Sequence, residues 1–233
     1  KEICLLLKTA VLASNARYEL IESPGGEKKY SVIGDPTEEA LVSAGLDLGF
    51  HRKDLTEKEP RIDEYEFTSE RKMMSILRNN ERNNILYSKG ASEKILENSS
   101  FELLNGELKK LNEKRKKELL DDCKKMEAKA LRVLAFGYKN VSKNENAKKL
   151  KEEGLIFIGF IGMLDPPRKE VKQAIRDCIN AGISVKMITG DSEITAKAIA
   201  IQIGIKGEII TEAQLEKMSD VALLEKIDNI GIF

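Results

Sequence analysis

Apolar residues recur along this chain at two different periods, and the change between them divides it. Residues 1–16 (KEICLLLKTAVLASNA) are apolar-rich enough for a helix, and Pro24-Gly25-Gly26 marks a turn before a short strand at 30–33. Asp35-Pro36-Thr37-Glu38 reads as a helix start, with Asp35 as N-cap, Pro36 at the first position and Glu38 closing a capping box. Ala40, Leu41, Ala44 and Leu48 then form its apolar face. Residues 62–67 and 72–78 read as strands joined by a polar turn, with 84–89 as another; consecutive short strands favour antiparallel pairing. Asn112 is placed to cap a helix running to about 131, its inner face built from Leu119, Cys123 and Met126, before a strand at 133–138.

From about residue 155 the pattern becomes that of a βαβ unit. Residues 155–163 (LIFIGFIGM) are apolar enough for a strand buried on both faces, as in parallel sheets, and Pro166 and Pro167 stop it. Val171, Ala174, Ile175 and Cys178 recur at helical spacing, Gly182 sits where a helix C-terminal glycine belongs, and 183–188 starts the next strand. Ser192 can cap a further helix with Ile194, Ala198 and Ile201 on its apolar face. The strand ends carry Asp165 on one side and Thr189, Gly190 and Asp191 on the other, at the edge where open parallel sheets bind ligands. The expected architecture is therefore an α+β domain over residues 1–155, with an antiparallel sheet flanked by helices. A partial α/β, Rossmann-like domain with three parallel strands follows over 156–233.

At 233 residues there is length for one large or two smaller cores. Lys+Arg and Asp+Glu both total 39, so no net field draws the chain to nucleic acid or anionic lipid. The basic run at 109–117 is interleaved with Glu107, Glu113 and Glu118 and reads as a solvated helix face. Three dispersed cysteines and a single histidine, His51, offer no zinc spacing; Cys123 and Cys178 read as core thiols in a reducing compartment. No metal-ligand set is expected within the chain. No apolar stretch approaches the roughly 20 residues that span a bilayer as a helix.

Individual residues suggest chemistry without deciding it. Phe67 ends a strand and precedes polar turn residues, a position for either a core side chain or a platform for a nucleobase. Lys89 shares a strand face with Ile85 and Tyr87, either snorkelling from the strand end or facing an anion, and Gly90 follows it. Thr189 and the amides that lead into a helix can hold a phosphoryl group; the plain alternative is that Asp191 only caps that helix.

Several segments together resemble a family. GDPTEEAL (34–41), FTSERKMMS (67–75), SKGASEKIL (88–96) and ALRVLAFGYK (130–139) are similar to the nucleotide-binding domain of P-type cation-transporting ATPases. MLDPPR (163–168), VKMITGD (185–191) and TAKAIAIQIGI (195–205) look like that family's haloacid dehalogenase-like phosphorylation domain, in the family's order and closest to its calcium-pump branch. The resemblance implies ATP as ligand, with Phe67 stacking on adenine, Lys89 and Gly90 lining the site and Glu38 accepting from the adenine amino group. Lys72 and Arg132 match cationic positions near the nucleotide, and Thr189, Gly190 and Asp191 the phosphoryl-transfer site; Asp165 falls at the hinge between domains. Serine at 92 replaces a common proline and can cap the helix after it, and Ser69 stands where calcium pumps often carry arginine.

The family's DKTGT and GDGVND motifs, which carry the phosphorylated aspartate and magnesium ligands, do not occur here, nor does a Walker A loop. The resemblance thus implies an excised cytoplasmic piece of an integral membrane pump, inactive alone, that uses ATP and Mg2+ when intact. Its partners would be the pump's actuator domain and membrane helices, with self-association of the fragment through uncovered apolar edges. Two other readings stay open: a stand-alone haloacid dehalogenase-like phosphatase using Asp165, although Pro167 occupies the acid/base position, and a non-catalytic regulatory module.

Overall fold

The computed structural model describes residues 2–22, 28–147, 150–164 and 167–233. The Pro24–Gly26 turn, Asp165 and Pro166 lie outside the described residues. Two compact units are present, Lys1–Leu120 with Leu134–Ile161 and Asp121–Val133 with Gly162–Phe233.

A seven-stranded sheet organises the first unit. Its strands are β3 (Arg61–Tyr65), β4 (Met73–Asn79), β5 (Asn84–Gly90), β6 (Ser99–Leu104), β7 (Glu107–Lys110), β8 (Leu131–Val141) and β9 (Leu155–Leu164), ordered β3-β4-β5-β8-β9-β6-β7. The β3–β4, β4–β5, β5–β8 and β6–β7 pairs are antiparallel, as expected for this half, but β6 and β9 run parallel. The sheet is mixed. The apolar run at 155–163, expected to open a separate parallel sheet, instead fills the gap between β8 and β6. A strand flanked on both edges and covered on both faces reads as uniformly apolar whichever sheet holds it.

Registration of Met74 opposite Lys89, Ser75 opposite Ser88 and Ile76 opposite Tyr87 assigns the two faces of β4–β5. One face carries Met74, Ile76, Arg78, Tyr87 and Lys89. On it sits helix α1 (Glu2–Leu12), whose Leu12 packs with Ala13 and Tyr87. The other face carries Met73, Leu77 and Leu86 into the main core with Ile95, Leu119, Leu155 and Phe157. Arg78, 1 % exposed, donates from Nε to the Leu12 carbonyl at 3.0 Å and from Nη1 to the Glu59 carbonyl at 3.0 Å, placing a cation at the C-terminus of α1.

The helix starting at Pro36 runs as α2 (Pro36–Asp47), with Asp35 capping through the Thr37 amide at 2.9 Å. Its phase differs from the expected one. Leu41, Val42 and Gly45 are buried, whereas Ala40, Ala44 and Leu48 are exposed. Gly45 lies against Val11 of α1 so closely that a Cβ there would collide with it, so a residue that reads as a helix weakener is the contact point between two helices. Beyond α2 stands the short α3 (Arg52–Lys58), and an antiparallel β1 (Arg17–Glu22)–β2 (Lys28–Ile33) ribbon precedes α2; β1, β6 and β7 carry no clear sequence signal. Lys109 and Lys110 belong to β7, so the basic run spans a strand end and the start of α5 (Glu113–Glu127), capped by Asn112 Oδ1 accepting from the Arg115 amide at 2.9 Å. Ala91, and not Ser92, takes the cap position of α4 (Ser92–Glu97).

In the second unit, α6 (Val171–Asn180) ends as expected at Gly182 (φ +77°), with Ile183 N–H donating to the Cys178 carbonyl at 2.8 Å and Gly182 N–H to that of Ile179 at 3.0 Å. Cys178 is only partly buried, against expectation, and Cys123 is buried. Residues 183–188 do not pair with β9: Met187 makes a single parallel bridge to Ile232, and β10 (Glu208–Ile209) runs parallel to β11 (Ile230–Ile232). Helix α7 (Glu193–Ile203) precedes β10, and α8 (Glu212–Leu215) and α9 (Asp220–Lys226) lie between β10 and β11 in the chain. Ser192 caps α7 as expected, accepting from the Thr195 amide at 3.3 Å. The face that α7 buries is Ala196, Ala200 and Ile203, while Ile201 is 70 % exposed. Apolar residues surround this helix, so periodicity alone could not select a face.

Candidate nucleotide site

The turn that follows α1 is the meeting point of the first unit's polar side chains. Ser14, Asn15 and Ala16 have left the helix, and their backbone groups need partners from elsewhere. Glu38 of α2 supplies them: its Oε2 accepts from the Asn15 and Ala16 amides at 2.8 and 2.9 Å. Its Oε1 accepts from Lys89 Nζ at 2.6 Å. Arg52 Nη2 donates to the Ser14 carbonyl at 2.8 Å, and Arg61 Nη1 to Asn15 Oδ1 at 3.1 Å. Glu38 therefore does not close a capping box. Its carboxylate turns away from its own helix, and Glu39 takes the neighbouring role by accepting from the Gly34 amide at 2.9 Å.

Lys89 is 6 % exposed and does not snorkel. It also donates to Ser14 Oγ at 3.0 Å, so the ammonium is held between a carboxylate and a hydroxyl under the α1 turn. Burial pushes its pKa below the ordinary lysine value, and the adjacent Glu38 opposes that shift. Gly90, the next residue, is buried because β5 passes against the chain at Lys72 and Met73; a Cβ would stand 2.5 Å from the Lys72 carbonyl oxygen.

Around this turn opens a cavity of about 670 Å³, lined by Ala16, Gly34, Glu38, Arg52, Phe67 and Met74 among others. Phe67 is 59 % exposed on its wall, and Met74 is buried beneath. A large aromatic face left in water beside a concave surface suits a flat apolar group. Burial lowers the pKa of Arg52, and the nearby Arg17 adds to this. Lys72, five residues beyond Phe67, is exposed and sits at φ +52°.

The structure thus brings Glu38, Phe67, Lys89 and Gly90 into one neighbourhood, with Lys72 at its turn. Arg132 is an exposed residue of β8 that belongs to the second unit, as do Thr189, Gly190 and Asp191. There Thr189 Oγ1 accepts from the Asp191 amide at 3.1 Å and donates to Asp191 Oδ2 at 3.2 Å, forming a small exposed loop ahead of α7. Among the described residues no group of three or more His, Cys, Asp or Glu side chains is arranged to hold a metal ion.

The family model for the P-type ATPase cytoplasmic domain N matches residues 2–170. The chain belongs to the P-type ATPase N-domain family. It is 39 % identical over 232 residues to calcium-transporting ATPase 1 of Bacillus cereus, covering 98 % of this chain and 25 % of that protein. It is 34 % identical over 233 residues to calcium-transporting ATPase 1 of Lactococcus lactis, covering 98 % and 26 % respectively. Cation-transporting ATPase pma1 of Synechocystis is 38 % identical over 239 residues, covering all of this chain and 25 % of its own length. The chain spans about a quarter of these relatives. No described helix is long and apolar enough to cross a membrane.

Within this N domain, Ser14, Asn15, Arg52 and Arg71 carry no signal of their roles in the sequence pattern. Each acts through a backbone carbonyl, an amide or a partner more than thirty residues away, and such long-range contacts leave no periodic trace in the chain.

Proposed function

We propose that this chain is the ATP-binding part of a P-type ATPase that forms an aspartyl-phosphate and uses it to drive cation transport, with calcium as the ion by analogy with its relatives' names. The observation that carries the reading is Phe67, exposed on the wall of a cavity whose other side holds Glu38. Adenine stacks on Phe67 above Met74. A carboxylate offers about four acceptor positions; Glu38 uses three on Lys89, Asn15 and Ala16, which leaves capacity for the adenine amino group. Lys89 supports the site from behind by holding Glu38, and Gly90 by letting β5 approach Lys72. Lys72 contacts the phosphates, and Arg132 matches a further cationic position of the family near the nucleotide.

Residues beyond β9 form part of the phosphorylation domain; the parallel β10–β11 pair and the glycine-terminated α6 support this assignment. Thr189, Gly190 and Asp191 hold the transferred phosphoryl group in the intact enzyme. ATP and Mg2+ serve that enzyme, and its actuator domain and membrane helices are this chain's partners. Alone, the chain binds nucleotide without turning it over, and its apolar edges favour self-association.

Amide chemical-shift mapping with ATP tests the binding reading. Shifts are expected around Gly34, Glu38, Phe67 and Lys89, at affinities in the high-micromolar to millimolar range, about 4–6 kcal/mol. Shifts confined to Thr189–Asp191, or none at millimolar ATP, would refute it.

A further inference from the structure

The loop between β3 and β4 presents Phe67, and an exposed aromatic ring on a flexible loop would lose much of its binding energy in becoming ordered. This loop is held from inside. Arg71 folds back beneath it and its Nη2 donates to the carbonyls of Tyr65 at 3.2 Å, Glu66 at 2.5 Å and Met73 at 3.0 Å, bracketing Phe67 on both sides. Its Nη1 donates to Glu152 Oε2 at 2.7 Å. Glu152 is itself anchored, since its Oε1 accepts from Ser75 Oγ at 2.5 Å, and that hydroxyl shares a hydrogen bond of 2.7 Å with Ser88 Oγ on the adjacent strand. The turn closes with the Lys72 amide donating to the Thr68 carbonyl at 2.8 Å and the Ala91 amide to the Lys72 carbonyl at 2.9 Å.

We infer that Arg71, with Glu152 behind it, is a positioning residue for nucleotide recognition: it fixes the backbone on both sides of Phe67 so that the ring stands ready for the base. The inference rests on the adenine assignment proposed above. Arg71 does not line the cavity, and its two terminal nitrogens are turned to three carbonyls and a carboxylate while its buried Nε has no partner, so it acts on the ligand only through the Phe67 loop. A planar, forked cation reaches the carbonyls on two sides of the turn from one nitrogen and the carboxylate from another; a lysine ammonium gathers its three donors on one nitrogen and cannot span both. Glu152 lies in the segment before β9, which is remote in sequence from the loop, and this makes the base platform depend on the docking of that segment.

The test is a double-mutant cycle in the full chain, read by titration calorimetry with ATP, adenosine and inorganic tripolyphosphate. Arg71→Ala should weaken ATP and adenosine by about 5- to 150-fold, the factor equivalent to a base stack, and leave tripolyphosphate unchanged. In the Phe67→Ala background the same substitution should have less than about a twofold effect, because a residue that acts through Phe67 has nothing left to position. Glu152→Gln, which keeps volume and one acceptor, should give the same adenine-selective loss at smaller size and provides the measurement should Arg71→Ala fold poorly. Equal losses for tripolyphosphate, or an undiminished effect of Arg71→Ala without Phe67, would overturn the inference while leaving the adenine site standing. A wild-type chain that fails to bind ATP at all would remove the adenine site and the inference with it.

Discussion

Lys89 and Glu38 meet at 2.6 Å, from the end of a central strand and the first turn of a helix, with side chains only 7 % and 13 % exposed. The carboxylate also holds the two amides that follow α1. The pair therefore joins three elements, and the buried lysine is held in place by partners that compensate its loss of water.

Removing one member of such a pair leaves the other uncompensated. Lys89→Met should lower unfolding stability by about 3–5 kcal/mol. Adding Glu38→Gln should recover part of that loss. Urea unfolding of the single and double variants checks both expectations, and additive losses would show that the two side chains are not coupled.

Phe67 is expected to contribute little to the fold and much to nucleotide binding. Being mostly exposed, Phe67→Ala should change stability by less than about 0.5 kcal/mol. ATP affinity should fall by about 1–3 kcal/mol. Thermal unfolding and calorimetry on one preparation separate the two quantities.

Two motif glycines should behave in opposite ways. A Cβ at Gly90 would lie 2.5 Å from the Lys72 carbonyl oxygen and 2.7 Å from Met73 Cα, both backbone atoms, so Gly90→Ala should cost about 1–3 kcal/mol. Gly190 has open space around its Cα, and Gly190→Ala should stay within about 0.5 kcal/mol. Denaturation midpoints of the two variants decide this.

Tyr87 donates its hydroxyl to Glu59 Oε2 at 2.7 Å. Burial, and then that hydrogen bond, raise its pKa above the ordinary value of 10.0. A phenol whose folded pKa lies above its unfolded one binds more proton in the folded state once the unfolded phenol ionises, so its stabilisation is complete below that pH and declines above it. The stability advantage of the wild type over Tyr87→Phe should be constant up to about pH 9 and shrink above about pH 10. Urea unfolding from pH 8 to 11 measures it; an advantage that grows with pH would contradict the assignment.

Local features were legible in the sequence where local physics creates them. Asp35 and Pro36, Asn112, Ser192 and Gly182 mark helix ends because capping involves residues within one turn of each other. The alternation in β5 placed Tyr87 and Lys89 on one face, and the motif letters identified the family. Sequence alone could not determine which sheet would take the apolar strand at 155–163, because a strand buried on both faces carries no label for its neighbours. Nor could it reveal that α2 turns its Gly45 side to α1, that Glu38 serves the α1 turn and Lys89, or that Arg71 and Glu152 meet across the fold. Those outcomes depend on close packing and on the requirement that every buried polar group find a partner, and both are settled only when segments distant in the chain come together.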